Sequence, residues 1–213
     1  MAALPWRLVV FGDSVAEGRD DPDPAGGWTG WARRLADLLE LPRDRVANFG
    51  RPGATIADVA GEQLAAAGEP QPGLVVLNCG MNDALAGFDR ERVARRAAEV
   101  FAWADRGGAV AIAAPVPCPP FLQQVPMSAF RRKRTRQRID ECNAELRRAA
   151  EKHGMAFLAP GAVGRVADPA LWSADGIHLN PAGHAYVAEV IAPIARSLLA
   201  ARLAGTATNR GRT

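Results

Sequence analysis

Short apolar runs rich in β-branched residues alternate with helical periodicity along this chain, and that alternation leaves few folds open. Leu8 to Phe11, Arg45 to Phe49, Leu74 to Asn78, Ala109 to Ala114 and Met155 to Leu158 read as five strands. Between them lie helical stretches. Trp28 to Glu40 spaces Trp28, Trp31, Leu35, Leu38 and Leu39 along one face. Ala54 to Ala67, Asp89 to Asp105 and Ser128 to His153 follow, with Gly154 suited to end the last of these. Pro181 opens a final helix expected to run to about Leu203. Strands alternating with helices require a parallel sheet covered on both faces. The expected fold is therefore α/β: a three-layer α/β/α single domain with a five-stranded parallel sheet. Right-handed crossovers suggest the flavodoxin-like order 2-1-3-4-5. The 213 residues suit one domain. It is assigned to residues 1–204, and the small polar tail 205–213 is expected to be disordered.

Composition excludes several classes. With 48% hydrophobic and 23% charged residues the chain is of globular type, and its formal charge of +3 is small for its length. No apolar run approaches a membrane span, and no leader with a small-residue cleavage site opens the chain. Cys79, Cys118 and Cys142 form no CxxC and no metal spacing, which argues against a disulfide framework. A cytoplasmic protein is the expectation. There is no dinucleotide fingerprint, P-loop or HExxH, so no cofactor and no metal are expected. The run Arg131 to Arg138 raises a nucleic-acid or anionic-surface patch. It lacks interleaved aromatics and leads into helical spacing at Ile139, Cys142 and Leu146, so it reads as a solvated helix face and no nucleic-acid partner is expected.

Chemistry concentrates where strands end, since ligands of open α/β sheets bind beyond the carboxyl ends of the strands. Ser14 follows the first strand directly, after the turn signal Gly12-Asp13. It reads either as a displayed nucleophile or as a helix cap. A serine hydroxyl needs an adjacent base, and the chain holds only three histidines. His178 has Asp175 three residues before it, in Asp175-Gly176-Ile177-His178. A carboxylate so placed can hold the ring in the tautomer that frees Nε2 for the serine proton. The plain alternatives are a surface-loop histidine and a turn-forming aspartate. His153 at a helix end and His184 at a helix start have no such carboxylate and read as structural. Acyl chemistry also needs oxyanion donors. Gly53 offers a close backbone N–H, or is a turn glycine. Asn82 offers a side-chain amide, or is an Asx turn or cap.

Taken together, Phe11-Gly12-Asp13-Ser14, Gly53 in Asn48-Phe49-Gly50-Arg51-Pro52-Gly53, Gly80-Met81-Asn82-Asp83 and Asp175-Gly176-Ile177-His178 resemble the ordered blocks of the SGNH hydrolase superfamily, the GDSL-type lipases and esterases. The resemblance spans nearly the whole chain. It implies Ser14 as nucleophile, His178 as base and Asp175 as its orienter. It pairs Gly53 with Asn82 as oxyanion donors beside the Ser14 backbone N–H.

The expected activity is hydrolysis of carboxylic esters with short to medium acyl chains through an acyl-enzyme, on a small-molecule substrate. Carbohydrate O-deacetylation, thioester cleavage and acyl transfer on the same scaffold are the alternatives, ahead of a non-catalytic or nucleic-acid-binding module. The five-proline loop Pro115 to Pro126, with Val116, Phe121, Leu122 and Val125, is a candidate wall for an acyl pocket; Trp28 and Trp172 are candidate borders.

Overall fold

β1 (Arg7–Gly12), β2 (Val46–Asn48), β3 (Gly73–Asn78), β4 (Val110–Ala113) and β5 (Ala156–Phe157) form one sheet. The computed structural model describes residues 6–71, 73–159 and 164–210. The strand order is β2-β1-β3-β4-β5 and every neighbouring pair is parallel. This is the order that right-handed crossovers suggested.

The helices are α1 (Ser14–Glu17), α2 (Gly30–Leu38), α3 (Ile56–Asp58), α4 (Leu64–Ala67), α5 (Met81–Leu85), α6 (Arg90–Arg106), α7 (Phe121–Gln124), α8 (Ala129–Lys152) and α9 (Pro181–Arg210). Side-chain caps fix several of their starts. Asp89 accepts from the Arg92 N–H, and Ser128 from the Arg131 N–H. Thr55 and Asp58 form a reciprocal capping box at α3.

Strand side chains alternate between two cores, as the period of two requires. Leu8, Val10, Leu74, Val76 and Ile112 pack against Trp31 and Leu35 of α2 and Ile191 of α9. Val9, Phe11, Val75 and Leu77 pack on the other face, against Val100 and Phe101 of α6 and Leu146 of α8. The inner strands β1, β3 and β4 are buried on both faces, which is why they read as continuous apolar runs, and the edge strands β2 and β5 are half-exposed. Each fully buried Leu, Ile or Phe contributes about 1.5–3 kcal/mol.

Several details differ from the sequence reading. Trp28 is not helical: it pairs with Pro22 in an isolated antiparallel bridge, so α2 starts later. The stretch expected as one helix to Ala67 contains a π-helical turn, Val59–Gln63. The proline-rich loop holds the short α7. The last helix runs past Leu203 to Arg210; no proline follows Gly205 to stop it. Residues 211–213 lie outside the described residues.

Candidate active site

β1 ends at Gly12 because no side chain fits there. Its φ is +153°, and a Cβ would sit 2.0 Å from the Asn78 carbonyl oxygen. The chain then turns into α1. Asp13, not Ser14, caps this helix: its Oδ1 accepts the Val15 N–H at 3.0 Å. The hydroxyl of Ser14 is thus free of capping duty and stands at the carboxyl edge of the sheet.

Ser14 Oγ lies 2.8 Å from His178 Nε2, across a sequence separation of 164 residues. His178 Nδ1 lies 2.5 Å from Asp175 Oδ2. The other carboxylate oxygen, Oδ1, accepts the backbone N–H groups of Ile177 at 2.9 Å and His178 at 3.0 Å. Partial burial pushes the Asp175 carboxyl up. Those two N–H groups and the His178 ring outweigh burial and hold it below its ordinary value. The loop is itself anchored, since Phe121 of α7 donates its N–H to the Gly176 carbonyl at 2.9 Å. A hydroxyl, an imidazole and a carboxylate in series can pass the serine proton to Nε2 while the imidazolium is stabilised.

Asn82 is tied to Ala54, the residue after Gly53. Asn82 Nδ2 donates one hydrogen to the Ala54 carbonyl at 3.0 Å, which brings α5 onto the loop of Gly53. Its second amide hydrogen is left for another acceptor. Asp83 strengthens this junction: its Oδ2 accepts the Ile56 N–H at 3.0 Å. Gly53 is exposed, with φ of +76° and open space where a side chain would be. Neither residue is bonded to Ser14 among the described residues.

Two residues that sequence reasoning passed over hold the site. Gln63 is buried, its Oε1 accepts the Gly12 N–H at 2.9 Å, and its Nε2 donates to the Gly12 carbonyl at 2.8 Å. One amide therefore clasps both backbone groups of the residue two before Ser14. Gln63 lies inside Ala54 to Ala67, the stretch read as one helix, and no local sequence signal points to its partner. Asp13 is buried beside the serine, and that burial raises its pKa to about 6. His184, read as structural, is fully buried; Nδ1 accepts the Trp31 N–H at 3.2 Å and Nε2 lies 2.9 Å from the Arg19 carbonyl. Burial holds its pKa below the ordinary value.

Asp20, Asp175 and His178 present ligand atoms within 4.8 Å of one another, among the described residues the one group of this kind. Two of its members already bond each other, and one of them bonds Ser14.

A mainly apolar cavity of about 60 Å³ is lined by Asp13 and Val15, the neighbours of Ser14 in sequence, and by Met81, Val116, Trp172 and Ile177 among others. Of the residues expected to wall or border an acyl pocket, Val116 and Trp172 line this cavity, with Pro115 and Pro117. Phe121, Leu122 and Val125 do not line it, and Leu122 is fully buried in the core. Trp28 lines a second cavity of about 390 Å³ with Glu17, Arg33 and Gly50.

The family description GDSL-like lipase/acylhydrolase matches residues 10–186. The chain belongs to this family. Solved structures agree on the fold. An α/β hydrolase from the metagenome of Lake Arreo, Spain, superposes with a TM-score of 0.68 at 24% identity, covering 92% of this chain and 97% of that one. TesA superposes with a TM-score of 0.66 at 25% identity, covering 90% and 99%. Axe2, an acetylxylan esterase from Geobacillus stearothermophilus, gives 0.65 at 20% identity, covering 89% and 93%. Comparison with curated protein sequences finds no match. As a GDSL-family chain the protein is a hydrolase by kinship. Among its described residues no helix is long and apolar enough to cross a membrane.

Proposed function

We propose that this GDSL-family hydrolase cleaves carboxylic esters of short to medium acyl chains through an acyl-enzyme. The observation that carries the reading is the unbroken line from Ser14 Oγ to His178 Nε2 and from His178 Nδ1 to Asp175 Oδ2. In this mechanism Ser14 attacks the ester carbonyl as His178 takes its proton. Asp175 keeps the ring oriented and stabilises its charge. The carbonyl oxygen, as it becomes an oxyanion, accepts from the backbone N–H groups of Ser14 and Gly53 and from the Asn82 amide. His178 then protonates the leaving alcohol and later activates the water that releases the acid. The apolar cavity of about 60 Å³ takes the acyl group. That volume equals roughly four to six water-sized probe spheres, which favours acyl groups of a few carbons. The unpaired thiols of Cys79, Cys118 and Cys142 suit a reducing, cytoplasmic setting.

The test is a panel of nitrophenyl esters of increasing acyl length. Turnover should be greatest for short chains, and Ser14→Ala should lower kcat by at least roughly 10³-fold with the fold intact. Retained turnover in that variant excludes Ser14 as nucleophile. A second reading, O-deacetylation of a carbohydrate, is favoured by the cavity of mixed lining beside α1. An aromatic residue, Trp28, lines it together with Glu17 and Arg33, a carboxylate and a guanidinium. Deacetylation of acetylated xylo-oligosaccharides at a higher kcat/KM than nitrophenyl acetate would establish it.

A further inference from the structure

α8 opens with Ala129-Phe130-Arg131-Arg132-Lys133-Arg134-Thr135-Arg136-Gln137-Arg138, which holds six cations, and no acid occurs before Asp140. Helix stability alone favours the opposite order. The first turn carries the positive end of the helix dipole, so cations there are unfavourable. Like charges three and four residues apart also repel, and Arg131 with Arg134, Arg132 with Arg136, and Arg134 with Arg138 have those spacings. The fold accounts for two of the six. Arg132 Nε donates to the Leu122 carbonyl at 2.6 Å, and Arg138 to the Ala84 carbonyl at 3.4 Å. The side chains of Arg131, Lys133, Arg134 and Arg136 are exposed and have no hydrogen-bond or ion-pair partner among the described residues. Phe130 stands among them with 70% of its surface exposed. With Phe88, Lys133 and Arg134 it borders a cleft of about 510 Å³.

The start of α8 is linked to the loop of the candidate active site through α7. Arg132 ties the start of α8 to α7, and α7 is tied to Gly176 in the loop of Asp175 and His178. We propose that the amino-terminal face of α8 docks the protein on an anionic phospholipid surface. Phe130 enters the interface, and Arg131, Lys133, Arg134 and Arg136 contact headgroup phosphates. The site linked to it then meets acyl esters held in that surface, a consequence that rests on the ester-hydrolase reading. Cations flanking an exposed apolar side chain are what an interfacial helix combines. A single-stranded nucleic-acid groove instead stacks successive bases on aromatics interleaved with its cations, whereas Phe88 and Phe130 border the cleft here and Arg131 to Arg138 interleaves none.

Vesicle sedimentation tests the proposal. The protein should pellet with phosphatidylcholine vesicles containing phosphatidylglycerol, not with phosphatidylcholine alone, and added salt should release it. Replacing Arg131, Lys133, Arg134 and Arg136 together by alanine should weaken binding roughly a hundredfold or more. Phe130→Ser should weaken it while leaving the salt dependence in place. Both variants should still hydrolyse a soluble nitrophenyl ester at the unaltered rate. Failure of the unaltered protein to bind the anionic vesicles overturns the proposal, and so does undiminished binding by the four-alanine variant. Binding to a single-stranded oligonucleotide in preference to those vesicles also overturns it. If the unaltered protein hydrolyses no ester yet sediments with the anionic vesicles, the ester reading fails and the docking surface stands.

Discussion

Asp13 is 4% exposed, and burial lifts its pKa from an ordinary 3.8 to about 6. The folded protein therefore holds this proton more tightly than the unfolded chain does. The resulting stability is full below about pH 4 and is lost as the pH rises through about 6. Asp13→Asn keeps an acceptor for the Val15 N–H and removes the titration. From pH 4 to pH 7 the unfolding free energy of the unaltered protein should fall relative to the Asn variant by up to about 3 kcal/mol. Paired denaturant titrations measure this, and a difference that does not change with pH contradicts it. Ser14, His178 and Asp175 were legible as candidates because their chemistry is written locally: a serine after a strand, and a carboxylate three residues before a histidine. The caps and clasps were not. Gln63 reaches Gly12 across 51 residues and Asp83 reaches Ile56 across 27, and nothing near either residue names its partner.

Among the elements, the π-helical turn Val59–Gln63 stands out. An extra residue in the turn rotates the next side chains around the helix axis, and such turns often lie at functional sites. Here it ends on Gln63, which holds the backbone that leads into Ser14. The apolar spacing of a stretch this short does not distinguish a π turn from a regular one, so the sequence read as one continuous helix. Gln63→Leu removes both bonds; the Gly12 carbonyl keeps the Arg51 N–H at 3.2 Å, and the Gly12 N–H loses its Gln63 acceptor. Each buried polar group left unpaired costs about 1–3 kcal/mol. The variant should lose stability by that order, and a misplaced nucleophile should lower kcat roughly tenfold or more with KM little changed. Denaturant unfolding and steady-state kinetics on a nitrophenyl ester check both. Unchanged kcat would make Gln63 a purely structural clasp.

For the molecule as a whole, sheet order was legible because five apolar runs alternate with helices and crossover handedness allows few arrangements. Boundaries were less so. The Trp28–Pro22 bridge and the run of α9 to Arg210 depend on contacts and on the absence of breakers, which local periodicity does not express. The same distinction applies to the basic face of α8. Its charge was plain in the sequence, but the link from the start of α8 through α7 to Gly176 came only with the fold. The central claim is that folding joins a serine near one end of the chain to an imidazole near the other and so makes that serine reactive. Mapping the adduct of a serine-directed phosphonate tests it most directly. The account predicts a single adduct on Ser14 among the four serines, formed far more slowly in His178→Ala. Labelling at Ser128, Ser173 or Ser197, or equally fast labelling without the imidazole, would contradict it.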